Sequence, residues 1–265
     1  MNTGFIGGGN MAEALIKGMS GKGQWIKEGI IVSEPREERR LYLERSYAIK
    51  TTGSNKEIAS SCNIIILAVK PQNMEAVLNE ISPDITEEKT VVSIAAGITL
   101  AYLSARLKTK KLIRVMPNTP ALVQEAMSVM SLCECFSDRD VALVREIFMS
   151  IGKVTTLPEK YMDAVTALSG SGPAFIALFI EEMIRAGVKL GLQEDDAFTL
   201  AVQTAIGTAR LLETGMTPLK LREMVTSPGG TTAAGLNVFK DKGLTDIVSA
   251  SLTAAKNRSQ ELGRK

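Results

Sequence analysis

Short apolar runs alternate with amphipathic stretches through the first half of the chain. Some runs, such as residues 64–69, are continuously apolar, which is typical of strands covered on both faces of a parallel sheet. The stretches between them repeat apolar positions at helical spacing. This pattern predicts βαβ units. The predicted strands are residues 3–6, 30–33, 48–51, 64–69, 91–94, 112–115, 127–132 and 153–156, and the predicted helices include residues 11–20, 73–80, 99–107 and 138–150.

The pattern changes after about residue 157, beyond which we predict no further strand. Long helical stretches follow, at residues 173–190, 194–214, 218–225, 232–242 and 244–263. Prolines suit their first turns and glycines their ends. The sequence therefore predicts an α/β fold with a mostly parallel sheet over residues 1–158 and an all-helical domain over residues 159–265.

One helix of the second half is unusually apolar. Residues 174–180 are hydrophobic nearly all round, so this helix has to be buried on several sides. Helices of a second copy can supply that cover. We predict a homodimer through the helical domain, and a larger ring of dimers stays open.

The chain has 265 residues and no histidine. Imidazole is the commonest general acid/base and the commonest metal ligand in proteins. Its absence excludes a Ser-His-Asp triad, a His-paired cysteine nucleophile, His-ligated zinc and a dehydrogenase that protonates its substrate with His. The chemistry of this protein has to proceed without an imidazole.

Charge and composition narrow the partners. The net charge is +2 with mixed signs, which gives no basic footprint for nucleic acid, and the densest apolar run, residues 64–69, is too short to span a bilayer. No secretion signal is visible at the first residues. Cys62, Cys133 and Cys135 are an odd number of thiols that make a poor zinc site without imidazole and fit a reducing compartment. We expect a cytoplasmic protein with no nucleic-acid, membrane or metal partner.

A glycine-rich loop follows the first predicted strand. Gly7, Gly9 and Ala12 form a G-x-G-x-x-A pattern that opens an amphipathic helix at the start of the βαβ series. Gly7 allows the tight turn, Gly9 lets the backbone approach a pyrophosphate, and Ala12 permits close helix–strand packing. The helix N-terminus adds free amides and a positive dipole end. The loop indicates a Rossmann-type dinucleotide-binding domain, with a ligand-free glycine turn as the simpler interpretation.

The residues after the second predicted strand bear on the cofactor. Glu34 lies about 20 residues beyond the glycine loop, where an acid can hold the ribose hydroxyls of NAD. Ser33 and Arg36 can instead hold the 2′-phosphate of NADP, and Glu34 can also be an exposed loop acid without a role. The sequence leaves these possibilities open.

Two further segments are rich in small residues. In residues 224–235, a Pro-Gly-Gly run breaks the helical pattern, and Thr231 or Thr232 can cap the next helix. Bare amides at that helix N-terminus favour a carboxylate, although a simple interhelical turn explains the pattern equally well. Residues 167–174 are either a ligand contact or a tight packing crossover between domains.

Six segments, in this order along the chain, carry a resemblance to a known family: residues 7–12, 68–71, 93–97, 116–120, 169–174 and 227–232. Together they resemble pyrroline-5-carboxylate reductase over essentially the whole chain. The SPGGTT segment (residues 227–232) and the SGSGPA segment (residues 169–174) are far more specific to that family than the glycine loop. The resemblance implies a Rossmann dinucleotide-binding domain at residues 1–158 and a helical dimerisation and substrate-binding domain at residues 159–265. It implies reduction of 1-pyrroline-5-carboxylate, a cyclic imine, to L-proline with NAD(P)H, the last step of proline biosynthesis.

The resemblance also implies site residues. The backbone around Gly230, Thr231 and Thr232 would grip the substrate carboxylate, with Thr232 as the catalytic residue on the ring nitrogen. The cofactor would be bound by Ile6, Gly7, Gly8, Gly9, Asn10, Met11, Ser33, Glu34, Arg36, Asn55, Ala68, Val69, Lys70, Pro71, Ala95 and Ala96. In the family the substrate loop acts with the cofactor domain of the partner subunit. Glu34 departs from the neutral or basic residue of a strict NADPH enzyme, so both NADPH and NADH stay open, with NADPH slightly favoured.

The implied reaction suits a chain without histidine. A protonated imine carries its own proton and is already electrophilic at carbon, so the protein mostly has to bind and orient it. Thr232 would position the ring nitrogen rather than act as a true acid.

Two other interpretations of the function stay open. A two-domain 3-hydroxyacid dehydrogenase would need Lys189, which lies near the wrong end of its helix, and a dinucleotide sensor would use the SPGGTT loop only as a turn.

Overall fold

A computed structural model of the chain describes residues 2–21, 29–133 and 138–263, so Cys135 lies outside the described residues. Within them, eight strands form one sheet: β1 (Thr3–Ile6), β2 (Ile30–Ser33), β3 (Lys50–Thr52), β4 (Ile64–Leu67), β5 (Thr90–Ser93), β6 (Leu112–Met116), β7 (Ala126–Leu132) and β8 (Gly152–Thr156). Their order is β3-β2-β1-β4-β5-β6-β7-β8. Only the β6–β7 pair is antiparallel. The predicted mostly parallel sheet is confirmed.

Six α-helices accompany the sheet strands: α1 (Asn10–Gly21), α2 (Glu37–Tyr47), α3 (Asn55–Ser61), α4 (Met74–Ile81), α5 (Leu100–Ser104) and α6 (Asp138–Met149). After β8 the described residues are helical: α7 (Met162–Val165), a π-helical turn (Thr166–Gly170), α8 (Gly172–Lys189), α9 (Glu194–Glu213), α10 (Pro218–Met224), α11 (Thr231–Asp241) and α12 (Leu244–Gly263). The predicted change of architecture near residue 157 is therefore present.

The sheet separates two hydrophobic cores. Side chains alternate between the faces of a strand, so Phe5 of β1 belongs to one core and Ile6 to the other. The first core is completed by α1 and α6, and the second by α3, α4 and α5. Because both faces are covered, every residue of β1 and of β4 is buried. The continuous apolar run of β4 in the sequence has this origin.

Some predicted ends are shifted for identifiable reasons. The strand predicted from residue 48 begins at Lys50, because Ala48 ends α2 in a left-handed conformation (φ 55°). The helix predicted over residues 99–107 is reduced to α5, which Thr99 caps by accepting the Tyr102 amide at 3.0 Å. The strand predicted to reach residue 69 ends at Leu67, where the chain leaves the sheet.

The chain divides into two compact units, one comprising Met1–Ser171 with Ala254–Lys265 and the other Gly172–Thr253. Helix α12 begins in the second unit and ends in the first. In the first unit, its end lies against Gly97, and Ser259 donates to the Asp163 carboxylate at 2.7 Å. The predicted division at residues 158/159 stays a prediction.

The second unit, Gly172–Thr253, is called the helical unit below, and it exposes large apolar side chains. Helices α8 and α9 pack against each other, yet Ile176 of α8 is 62% exposed, and Phe175, Leu178 and Phe179 are also exposed. Among the described residues, the helical stretch Glu159–Lys189 is long and apolar enough to cross a membrane by length and composition alone. Apolar surface of this extent marks an interaction face.

Candidate active site

The glycine loop begins where three parallel strands end. The Gly7 amide donates to the Ser33 carbonyl at 2.8 Å, and the Ala68 amide donates to the Ile6 carbonyl at 2.8 Å. Gly7 has φ +100°, and a Cβ there would lie 2.7 Å from the Ala68 carbonyl oxygen. No other residue type fits this position without strain. The sequence prediction of a tight turn at Gly7 therefore has a specific cause.

The opposite side of the loop is open. A Cβ built on Gly9 would meet no atom within 4 Å. The Glu13 amide donates to the Gly9 carbonyl at 3.0 Å, so the amides of Asn10, Met11 and Ala12 precede the first α-helical bond of α1 and point out of the helix end. This cradle at the N-terminus of a helix of 12 residues fits the pyrophosphate of a dinucleotide.

Glu34 is buried beside this loop. Its side chain is only 7% exposed, and Oε2 accepts the Gly8 amide at 3.0 Å. Oε1 accepts both the Arg36 side-chain Nε at 2.9 Å and the Arg36 amide at 3.3 Å. Burial opposes ionisation of Glu34, but these hydrogen bonds outweigh it and hold the pKa of the carboxyl below its ordinary value. Glu34 is therefore an ordered carboxylate, not an exposed loop acid.

Other groups near the ribose position are engaged with the protein. The buried Ser33 hydroxyl donates to the Asn55 side-chain oxygen at 2.5 Å. The side-chain nitrogen of Asn55 donates to the Glu80 carboxylate at 2.7 Å. Arg39 Nε donates to the Gly8 carbonyl at 2.7 Å, and Arg40 donates to the Glu34 carbonyl at 2.9 Å. Both Gly8 backbone groups are thus held by side chains.

The remaining predicted cofactor residues follow β4 and β5. Ala68 and Val69 lie directly against Gly7, while Lys70 is exposed and precedes a short 3₁₀ turn that begins at Pro71. The Ile94 amide donates to the Leu67 carbonyl at 3.3 Å, which keeps the chain leading to Ala95 and Ala96 beside the end of β4. The structure therefore brings the predicted cofactor residues to one edge of the sheet, the carboxyl ends of its parallel strands, where open α/β sheets bind ligands.

The SPGGTT loop lies in the helical unit. The Gly230 amide donates to the Ser227 carbonyl at 3.0 Å, and Gly229 has φ +71°. The prediction that Thr231 or Thr232 caps the following helix is wrong. Gly230, in an extended conformation, occupies the cap position of α11, and Thr231 is already the first helical residue. The glycine lets the chain enter the helix with its first amides uncovered, and Thr232 is half-buried in that first turn.

Two family models match the chain. One, described as pyrroline-5-carboxylate reductase dimerisation, covers residues 159–262, and one, described as NADP oxidoreductase coenzyme F420-dependent, covers residues 2–97. A pyrroline-5-carboxylate reductase of Methanosarcina acetivorans is 42% identical over 264 residues, with 99% of this chain and 98% of the relative covered. The chain belongs to the pyrroline-5-carboxylate reductase family.

Solved structures of pyrroline-5-carboxylate reductases have the same fold as this chain over nearly its whole length. The Coxiella burnetii protein has a TM-score of 0.92 at 33% identity, covering 100% of this chain and 99% of its own. A Plasmodium falciparum pyrroline carboxylate reductase with NADP bound has a TM-score of 0.89 at 33% identity, covering 99% and 98%. The predicted family and fold class are confirmed, and NAD(P)H use is supported without a choice between the two.

One residue of the family segments gains a contact that the sequence did not indicate. Asn118 follows β6, and its amide nitrogen donates to the Ser169 carbonyl at 3.2 Å and lies 3.4 Å from the Ser169 hydroxyl. Its side-chain oxygen accepts the Met127 amide at 2.9 Å. Asn118 therefore fixes the π-helical turn at Ser169, within the SGSGPA segment, to the sheet. The sequence signals were its place in the family segment at residues 116–120 and its position two residues after a buried strand.

Lys189 is the last residue of α8, about 26 Å along the helix axis from Gly172 at 1.5 Å per residue. It lies at the opposite end of α8 from the SGSGPA segment. This position does not suit an acid/base lysine at that segment, and the dehydrogenase alternative loses its one candidate residue.

Proposed function

We propose that the chain reduces 1-pyrroline-5-carboxylate to L-proline as an NAD(P)H-dependent pyrroline-5-carboxylate reductase, the last step of proline biosynthesis. The observation that carries the proposal is the pair of glycine-opened helix N-termini in one chain. The N-terminus of α1 suits a pyrophosphate, and that of α11 suits a small carboxylate.

The chain's own residues bind and orient in this proposal. The nicotinamide, when bound, supplies the hydride. The amides around Gly230 and Thr231 grip the substrate carboxylate, and the Thr232 hydroxyl holds the ring nitrogen. The substrate brings its own proton, so a chain without histidine needs no acid at this point. Orientation of this kind can contribute roughly 7–11 kcal/mol to lowering a barrier.

We assign the cofactor to the loop and strand ends described above, at residues 6–11, 33, 34, 36, 55, 68–71, 95 and 96. We also keep the functional division of the chain at residues 158/159. The direct support is the open cradle at Gly9 and the ordered Glu34 carboxylate beside it.

We further propose a soluble, cytoplasmic homodimer formed through the helical unit. The exposed apolar face of α8 supports this arrangement, because a second copy would cover it and would also account for the apolar stretch Glu159–Lys189. Light scattering at micromolar concentration tests the proposal. A mass of two chains supports it, a multiple of that mass indicates a ring of dimers, and a monomer contradicts it.

Three assays on the purified chain separate the candidate functions. Loss of NADH or NADPH absorbance with pyrroline-5-carboxylate, with proline as the product, supports the proposed reduction. Cofactor reduction with 3-hydroxyisobutyrate instead indicates the dehydrogenase. Cofactor binding without turnover of either compound indicates a sensor.

A further inference from the structure

The end of β2 and the segment after it have the composition of a site for a 2′-phosphate, with Ser33, Arg36, Arg39 and Arg40. A phosphate there would need at least one cation that is free to pair with it. The structure shows how these cations are used, and their use bears on the choice between NADH and NADPH.

Two of the three arginines hold the backbone. Arg39 donates to the Gly8 carbonyl at 2.7 Å and pairs with Glu13, and its side chain is mostly buried. Arg40 donates to the Glu34 carbonyl at 2.9 Å and to the Pro35 carbonyl at 3.0 Å. Releasing either for a phosphate would remove the donors of these carbonyls.

The third arginine is tied to an acid. Arg36 is 70% exposed but donates through Nε to Glu34 at 2.9 Å. The Ser33 hydroxyl, which is buried, donates to Asn55. Both residues that the sequence offered for a 2′-phosphate are therefore already hydrogen-bonded within the protein, and the Glu34 carboxylate at Arg36 Nε offsets the charge that Arg36 would offer a phosphate.

Glu34 retains acceptor capacity. A carboxylate offers about four acceptor sites, and three are filled, two on Oε1 by Arg36 and one on Oε2 by Gly8. The remaining site on Oε2 lies beside the glycine loop. A ribose hydroxyl could donate to it, whereas a 2′-phosphate would meet a negative charge in a partly desolvated position.

We propose that this chain prefers NADH to NADPH, and that the Glu34 carboxylate, held by Gly8 and Arg36, sets the preference. The inference rests on the proposed cofactor-dependent function. It replaces the slight preference for NADPH that the sequence comparison with the family suggested.

The test measures the dissociation constants of NADH and NADPH by nicotinamide fluorescence, without imine, and then kcat/KM for each with pyrroline-5-carboxylate. The wild type should bind NADH about 10- to 100-fold more tightly. Glu34→Gln keeps an acceptor for the Gly8 amide but removes the charge, and should narrow the ratio to about threefold or less, mainly through tighter NADPH binding. Glu87→Gln, which removes an exposed acid just before β5, at the opposite edge of the sheet, is the matched control and should leave the ratio unchanged.

A wild type that binds NADPH as tightly as NADH, or an unchanged ratio in Glu34→Gln, overturns the inference. If Glu34→Gln does not fold, the ionic strength dependence of the wild type decides. Binding of NADPH through a free cation would weaken with salt more than binding of NADH does, whereas repulsion by Glu34 predicts that salt narrows the ratio. A tenfold preference in binding with no proline formed contradicts the proposed reaction and leaves the inference standing.

Discussion

The two helix N-termini of this protein differ in how much of their surroundings one chain provides. At α1, both backbone groups of Gly8 are held by side chains, and Gly7 is fitted against Ala68. At α11, by contrast, Thr231 is exposed, as are the residues from Ser227 to Gly229 just before it, and Gly230 bonds to Ser227 of the same loop. Contacts within one chain therefore order the loop before α1, whereas the residues around the first turn of α11 are mostly exposed in one chain.

This difference has a physical consequence for catalysis. An exposed helix N-terminus holds a carboxylate weakly, because water competes for the amides and salt screens the dipole. Excluding water strengthens such contacts. A second copy that covers the helical unit would therefore do more than dimerise the protein, since it would give the α11 amides their binding strength.

The largest expected effect follows from a substitution that prevents a second copy from covering the helical unit. Ile176→Glu places a charge on the exposed apolar face of α8, where burial without a partner costs several kcal/mol. We expect a monomer whose proline formation falls to background while NADH binding is retained, measured by sedimentation velocity and cofactor fluorescence. Lys108→Glu, at an exposed polar position of the first unit, is the control. A fully active monomer would show that the substrate loop is complete in one chain.

The next effect concerns the substrate loop itself. Thr232→Ala removes one oriented hydroxyl, and we expect turnover to fall about tenfold to a thousandfold. Cofactor affinity should not change, because the residues of the glycine loop are not altered. Thr232→Ser, which keeps the hydroxyl, should recover most of the activity. Turnover equal to wild type in Thr232→Ala would remove Thr232 from the mechanism.

Two glycines test the completeness of the α1 cradle. Gly7→Ala has to adopt a positive φ against the Ala68 carbonyl and should lose roughly 2–4 kcal/mol of folding stability. Gly9→Ala meets open space, so the melting temperature should be almost unchanged while NADH affinity falls about tenfold to a hundredfold, since the methyl group occupies the phosphate approach. Equal effects of both changes on stability would contradict the geometry. Thermal unfolding and fluorescence titration separate the two.

The strands and the apolar face of α8 could be predicted from the sequence, whereas the long-range contacts of the candidate site could not. Continuous apolar runs placed the strands because both sheet faces are buried, and the apolar face of α8 is visible in its composition. The hydrogen bond from Gly8 to Glu34 could not be predicted, because Gly8 lies 26 residues away and its amide carries no sequence signal. The same holds for Asn118 and Ser169, which are 51 residues apart. At α11, the preference of threonine for caps pointed to the wrong residue, since Gly230 enters the helix in an extended conformation.

The smallest expected effect tests whether the α1 cradle is held by charge. Glu13 accepts hydroxyl hydrogen bonds from Tyr42 and Tyr47, each at 2.8 Å, and pairs with Arg39, which in turn holds the Gly8 carbonyl. Burial opposes ionisation, but these bonds outweigh it and hold the pKa of Glu13 below its ordinary value. A lowered pKa stabilises the folded state above the unfolded pKa of about 4.3, and this contribution is lost as pH falls through the folded value.

Glu13→Gln should therefore cost about 1 kcal/mol of unfolding free energy near pH 7, with the difference from wild type shrinking below about pH 4.3. Urea unfolding across this range measures it, with Glu75→Gln on the exposed face of α4 as the control that shows no such trend. A difference that stays constant with pH would mean that Glu13 acts by shape and not by charge. The cradle would then still be complete in one chain, but Arg39 would be held on Gly8 without help from its ion pair.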